Sequence, residues 1–270
     1  MTKNSPIITT HWLYENLNDP SLLIIDASLK NPINSKYKEF EKVLPNSLEF
    51  DWDAFSDTDS ELPHMMPSVE KFTESARVLG VNQDSLIVVY DNMGIYSSAR
   101  VWWMFRSMGF DNCFVLDGGL LEWLKNGFST EGAHRKALNM GNFIAKYREE
   151  LFLDKIDVRR AIEDPNITIV DARNADRFNG KVDEPRINLR RGHIPSSINI
   201  PFEDFLIESK LRSNAELKEL FSGVDFGSKL VFSCGSGVTA CVGALAAVAL
   251  GFEDVGVYDG SWSEWGMADE

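Results

Sequence analysis

Residues 228–266 read SKLVFSCGSGVTACVGALAAVALGFEDVGVYDGSWSEWG. KLVFS is a short apolar run with the length and residue types of a buried strand. A polar, glycine-rich loop, CGSGVT, follows it. ACVGALAAVAL then has helical length and composition, and Gly251 stands where a helix ends. VGVYD is a second short strand and the tail is helical again. Two buried strands joined by a helix run parallel, which makes this the repeating unit of an α/β sheet.

Residues 86–128 read LIVVYDNMGIYSSARVWWMFRSMGFDNCFVLDGGLLEWLKNGF and repeat the plan. At a constant offset Tyr90 meets Phe232, Gly109 and Phe110 meet Gly251 and Phe252, Asp117 and Gly118 meet Asp259 and Gly260, and Trp123 meets Trp265. Upstream, IIDAS (24–28) parallels IVDAR (169–173), and LPNSLEFDWDAF (44–55) parallels IPSSINIPFEDF (194–205). A period this long marks two copies of a domain rather than a solenoid. The boundaries expected are 1–133 for the first copy, 134–153 for a linker and 154–270 for the second. Each copy reads as a parallel sheet with helices on both faces. Helices are expected over 9–17 and 154–163, and strands at 22–26, 85–90 and 113–117, matched by 167–171, 229–233 and 255–259.

The bulk composition limits the function classes. The chain has 270 residues, 44% hydrophobic and 25% charged, an ordinary globular balance. Its formal net charge of −14 disfavours nucleic acid and anionic membrane surfaces as partners. The N-terminal sequence has neither the apolar core of a signal peptide nor the pattern of a transit peptide. The run Val238–Leu250 is too short to span a bilayer. Three cysteines (Cys113, Cys234, Cys241) form no even framework, so a reducing, cytoplasmic setting is expected. The four histidines have no metal-ligand spacing, and no metal or cofactor is expected.

Cys234 follows a strand directly and precedes a helix. Ligands of such sheets bind beyond the carboxyl ends of the strands. The loop N–H groups and the helix dipole both favour a thiolate there. Gly235, Ser236, Gly237, Val238 and Thr239 would cradle that sulfur, or a larger anion built on it. The bland alternative is a small buried residue, and it fits Cys113 and Cys241 better. A phosphatase would need an arginine six residues after the cysteine to clamp phosphate; Ala240 stands there. In the first copy Asn92 occupies the place of Cys234, so only the second copy carries the nucleophile.

Residues 171–193, DARNADRFNGKVDEPRINLRRGH, hold six basic residues against four acidic ones in an acidic chain. Arginines present fixed donors suited to a carboxylate, so an anionic small molecule is the expected partner, with a solvated ion-paired loop as the alternative. In the first copy, FDWDAFSDTDSELPHMMP carries Asp53 and His64. An interdomain cleft would allow His64 to act with Ser236 and an aspartate as a proton relay.

These residues together resemble the rhodanese-type sulfurtransferases. The resemblance runs over nearly the whole chain: LPHMMP (62–67), ARVWWMFRSMG (99–109), RFNGKVDEPR (177–186), RRGHIPSSINIP (190–201), the Cys234 loop and YDGSWSEWG (258–266). It implies tandem rhodanese-like domains, the second of them catalytic. Members that prefer thiosulfate carry two basic residues after the cysteine; here Gly235 and Ser236 are neutral. That similarity to the other branch implies 3-mercaptopyruvate as donor, with Arg177 and Arg186 binding its carboxylate and keto oxygen. It also implies a Cys234 persulfide and a thioredoxin, small-thiol or cyanide acceptor, with Asp53, His64 and Ser236 as the relay. A monomer is expected. A thiosulfate:cyanide sulfurtransferase and a non-enzymatic sulfur-binding module remain open. The chain departs from the family at Ser196 and Asn46, where glycine is usual, and these changes bear on turn geometry.

Overall fold

A computed structural model describes residues 5–29 and 41–267. Two compact units emerge. The first holds the described residues up to Asp57 together with Met66–Arg148 and Glu208–Leu211; the second holds Thr58–Met65, Glu149–Ile207 and the described residues from Arg212 on.

The first unit contains β1 (Ile7–Ile8), α1 (Thr10–Glu15), β2 (Leu22–Asp26), β3 (Leu48–Glu49), α2 (Val69–Val78), β4 (Leu86–Tyr90), α3 (Ser98–Ser107), β5 (Cys113–Leu116) and α4 (Gly119–Lys125). Its strands form a five-stranded sheet in the order β1-β5-β4-β2-β3, with every pairing parallel. Strand residues alternate between the faces. Ile24, Val88, Tyr90 and Leu116 pack with Leu13, Leu120 and Trp123 of α1 and α4. On α2 and α3, Phe72 and Phe105 build an aromatic cluster with Phe55, Phe110 and Phe143.

The second unit repeats this plan with β6 (Phe152–Leu153), α5 (Lys155–Glu163), β7 (Ile167–Asp171), α6 (Ala175–Phe178), β8 (Ile198–Asn199), α7 (Asn214–Leu220), β11 (Lys229–Ser233), α8 (Ala240–Leu250), β12 (Val255–Tyr258) and α9 (Ser261–Trp265). The order β6-β12-β11-β7-β8 is that of the first sheet, position for position, and is again all parallel. Between β8 and α7 lies a hairpin of β9 (Leu206–Ile207) and β10 (Lys210–Leu211), which the repeat pattern does not reveal. Val158, Ala161, Ile169, Val231, Tyr258, Trp262 and Trp265 fill one side of the sheet. Phe205, Phe221, Phe232 and Phe252 make a second aromatic group.

Over 134–153, the segment expected as a linker, the chain divides between the two units. Residues to Arg148 belong to the first unit, where Arg135 N–H donates to Ser47 O, Phe143 N–H to Val81 O and Lys146 N–H to Met108 O. Phe152 and Leu153 are a strand of the second sheet, paired with Val257 and Tyr258. The physical reason is backbone satisfaction: a polar chain laid along a domain pairs its amides there when no solvent-exposed span is needed. Among the described residues no helix is long and apolar enough to cross a membrane.

Candidate active site

Cys234 sits just past the carboxyl end of β11, the central strand of the second sheet. The chain leaves β11 for β12 on one side, while β7 flanks it on the other, so this is the switch point where α/β sheets open a crevice. The thiol-bearing residue is only 2% exposed. Its N–H donates to Ser261 Oγ at 3.1 Å, and its carbonyl accepts the Trp262 N–H at 3.0 Å. The next carbonyl, of Gly235, accepts both the N–H (2.9 Å) and the hydroxyl (2.6 Å) of Ser263. The first turn of α9 therefore fixes the loop backbone. Ser261 does this from a left-handed conformation, φ 48°, which a non-glycine residue rarely adopts and which recurs at functional sites.

The loop then turns through Gly237, φ 72°, into α8, whose first position is Ala240 and whose cap residue, Thr239, makes no side-chain cap bond. Among the described residues, the N–H groups of Gly235, Ser236, Val238 and Thr239 donate to no protein acceptor. Such a set of open amides at a helix entrance suits an anion on the Cys234 sulfur.

The corresponding loop of the first unit is closed by its own carboxylate. Buried Asp91 accepts the N–H groups of Met93 (2.9 Å), Tyr96 (2.8 Å) and Ser98 (2.9 Å) and the Ser98 hydroxyl (2.6 Å). At the matching place in the second unit stands Ser233, whose buried Oγ has no partner among the described residues. Two of the differences between the copies bear on the site: a thiol for an amide, and a small hydroxyl for a plugging carboxylate.

Arg177 and Arg186 come to the same loop. A Cβ added at Gly235 would lie 3.1 Å from Arg177 Nη2 and 3.7 Å from Arg186 Nη1, so both guanidiniums face the residue after the thiol. Arg186 Nη2 also donates to Ser236 Oγ at 3.3 Å. Arg177 is locked bidentately to Glu184, through Nε at 3.2 Å and Nη2 at 2.5 Å. Glu184 is in turn held by Arg173 Nη1 at 2.9 Å. Arg173 is fully buried, forked onto Asp171 at the end of β7, bonded to Gly192 O and stacked 4.2 Å over the Trp262 ring. His193 braces the segment by stacking on Phe178 at 4.0 Å and bonding its carbonyl at 2.8 Å.

Cys234, Gly235, Ser236, Arg177 and Arg186 thus meet in one place. Asp53 belongs to the first unit, where its N–H donates to Asp51 Oδ1. His64 belongs to the second unit, in the stretch Thr58–Met65, at φ 62°. Cys241 is buried under the loop with its thiol 3.3 Å from Gly237 O. Cys113 is packed in the first sheet, and burial pushes its thiol well above the ordinary range. Among the described residues no group of His, Cys, Asp or Glu could hold a metal ion. The sequence reading missed the supports: Ser261 and Ser263, Glu184, and the buried role of Arg173. Their only sequence signals were membership of the SWSEWG and VDEPR stretches and, for Arg173, of the arginine-rich segment 171–193.

The Rhodanese-like domain model matches residues 9–126 and 155–268. The chain is 41% identical to the 3-mercaptopyruvate sulfurtransferase of Escherichia coli K12, over 94% of this chain and 92% of that protein. It is 38% identical to the human 3-mercaptopyruvate sulfurtransferase, over 97% and 92%. It is 36% identical to the rat thiosulfate sulfurtransferase, over 96% and 91%. Among solved structures, it is similar to SseA from Escherichia coli, a 3-mercaptopyruvate sulfotransferase with the rhodanese fold. The TM-score is 0.85 at 38% identity, covering 96% of this chain and 100% of that one.

Proposed function

The chain belongs to the rhodanese-like family of sulfur-transferring enzymes, and from that membership we propose that it takes sulfur from 3-mercaptopyruvate through a persulfide on Cys234. One observation carries the choice of donor: the residue after the thiol is a glycine faced by two guanidiniums, with a neutral serine beyond it. A donor whose negative charge lies on a carboxylate, several bonds from its sulfur, fits that arrangement. Thiosulfate carries two charges close to its sulfur and gains most from cations on the loop itself.

In the proposed reaction the Cys234 thiolate attacks the sulfur of 3-mercaptopyruvate. A new S–S bond forms and the C3–S bond breaks, its electron pair leaving as the enolate of pyruvate. Arg177 and Arg186 hold the carboxylate and keto oxygen, and so stabilise charge developing on that enolate. The proton of the donor thiol passes to C3, giving pyruvate and an anionic persulfide. The open amides of Gly235, Ser236, Val238 and Thr239 stabilise that persulfide. Ser236, with His64 and Asp53, is proposed to relay the proton. A thiol of thioredoxin or a small molecule then takes the outer sulfur as its own persulfide and restores the Cys234 thiolate. Cyanide takes it as thiocyanate. Each half-reaction is covalent, and the two alternate.

Mass spectrometry after mixing with 3-mercaptopyruvate tests this reading. The chain should gain the mass of one sulfur atom, located on Cys234, with release of pyruvate; Cys234→Ser should gain none and turn nothing over. A module that only binds partners would acquire no sulfur. A thiosulfate enzyme would load from thiosulfate with the higher kcat/KM.

A further inference from the structure

Glu184 makes no bond to the sulfur loop, yet it governs one of the guanidiniums that face it. Its two oxygens take Nε and Nη2 of Arg177, which fixes the plane of that guanidinium and holds the same Nη2 against Gly235. Glu184 itself has little freedom: its side chain is 2% exposed, and Arg173 holds Oε1 from the other side. Arg173 is anchored by Asp171, Gly192 O and the Trp262 ring, and Trp262 N–H bonds the carbonyl of Cys234. A continuous set of buried contacts therefore runs from the donor-facing arginine to the backbone of the nucleophile.

We propose that Glu184 is a positioning residue that also sets the charge of the donor the site accepts. This rests on the reading of the site as one for 3-mercaptopyruvate. Before any donor arrives, the carboxylates of Asp171 and Glu184 already face the guanidiniums of Arg173 and Arg177. The repulsion between Glu184 and a bound donor scales with the donor's charge. It therefore opposes a dianion such as thiosulfate twice as strongly as a monoanion such as 3-mercaptopyruvate. Burial makes this difference count, because little water screens it.

The test compares kcat/KM for the two donors, at one fixed acceptor concentration, in the wild type, Glu184→Gln and Glu184→Asp. Glutamine keeps the shape and removes the charge, so the thiosulfate-to-mercaptopyruvate ratio should rise about tenfold. Aspartate keeps the charge and shortens the reach; KM for 3-mercaptopyruvate should rise while the donor ratio stays within about twofold. An unchanged or lowered ratio in Glu184→Gln would mean that the Glu184 charge does not select the donor, and would overturn the proposal. If Glu184→Gln does not fold, Glu184→Asp carries the test: a shifted ratio there overturns it. A wild type that does not turn over 3-mercaptopyruvate sinks the underlying reading instead, and that result is read before either variant.

Discussion

At the scale of single residues, the site is tuned by what is small. Gly235 is required by its neighbours rather than by its own backbone, which is not left-handed. A methyl group there meets Arg177 Nη2 at 3.1 Å, tighter than ordinary contact. Gly235→Ala should push that guanidinium off its Glu184 partner and raise KM for the donor about tenfold, which steady-state kinetics would read. A fall in kcat with unchanged KM would place the effect on the thiol instead. Ser196 and Asn46 illustrate the opposite case. Both take left-handed conformations, φ 59° and 63°, at the positions where the sequence resemblance led one to expect glycine. Exposed Ser196 bears the steric cost of a Cβ there. Ser196→Gly should stabilise the chain by about 0.5–1 kcal/mol, measured by urea unfolding, and asparagine, more tolerant of this region, leaves less to gain at position 46.

At the scale of elements, α8 is held by shape. Eight of its eleven residues are buried, so it is apolar all round rather than amphipathic. Its length and composition were readable, but no periodicity could show which residue touches what. Gly243 is the tight point: an added Cβ would lie 2.5 Å from the Phe232 ring and 3.2 Å from Phe205. Gly243→Ala should improve helix propensity and still destabilise, by about 1–3 kcal/mol, because the core overpacks beside the strand that carries Cys234. A thermal melt at or above the wild-type midpoint would contradict this. The loops before α3 and α8 show the same limit of sequence reading. DNMGIYSS and SCGSGVTA align without a gap, and the alignment located the missing thiol. That the Asp91 carboxylate fills the amides which its counterpart leaves open is a fact of geometry.

At the scale of the whole molecule, the sequence expected a break at 133, and the first unit instead runs on to Arg148. His134, just past that break, bonds Asp26 Oδ2 at the end of β2 at 2.9 Å. This hydrogen bond, opposed by burial, raises the imidazole pKa above its ordinary value. A raised folded-state pKa gives stability that is complete below about pH 6.5 and is lost as pH climbs through the folded value. His134→Gln should therefore cost on the order of 1 kcal/mol near pH 5.5 and close to nothing at pH 9, measured by urea unfolding at both. An equal loss at the two pH values would assign the residue a packing role only. The sequence by itself determined the duplication, the parallel α/β class, the strand positions, the single cysteine at the strand end of the second copy and the arginine-rich stretch. All of these follow from local composition and from periods that survive in one dimension. Only the tertiary structure decided that the presumed linker pairs with the units on either side, that Glu184 and Arg173 stand behind Arg177, and that Ser261 and Ser263 hold the sulfur loop. These residues act across 7 to 28 positions of chain. Their partners are chosen by the packing of strand ends, and no local pattern encodes that choice.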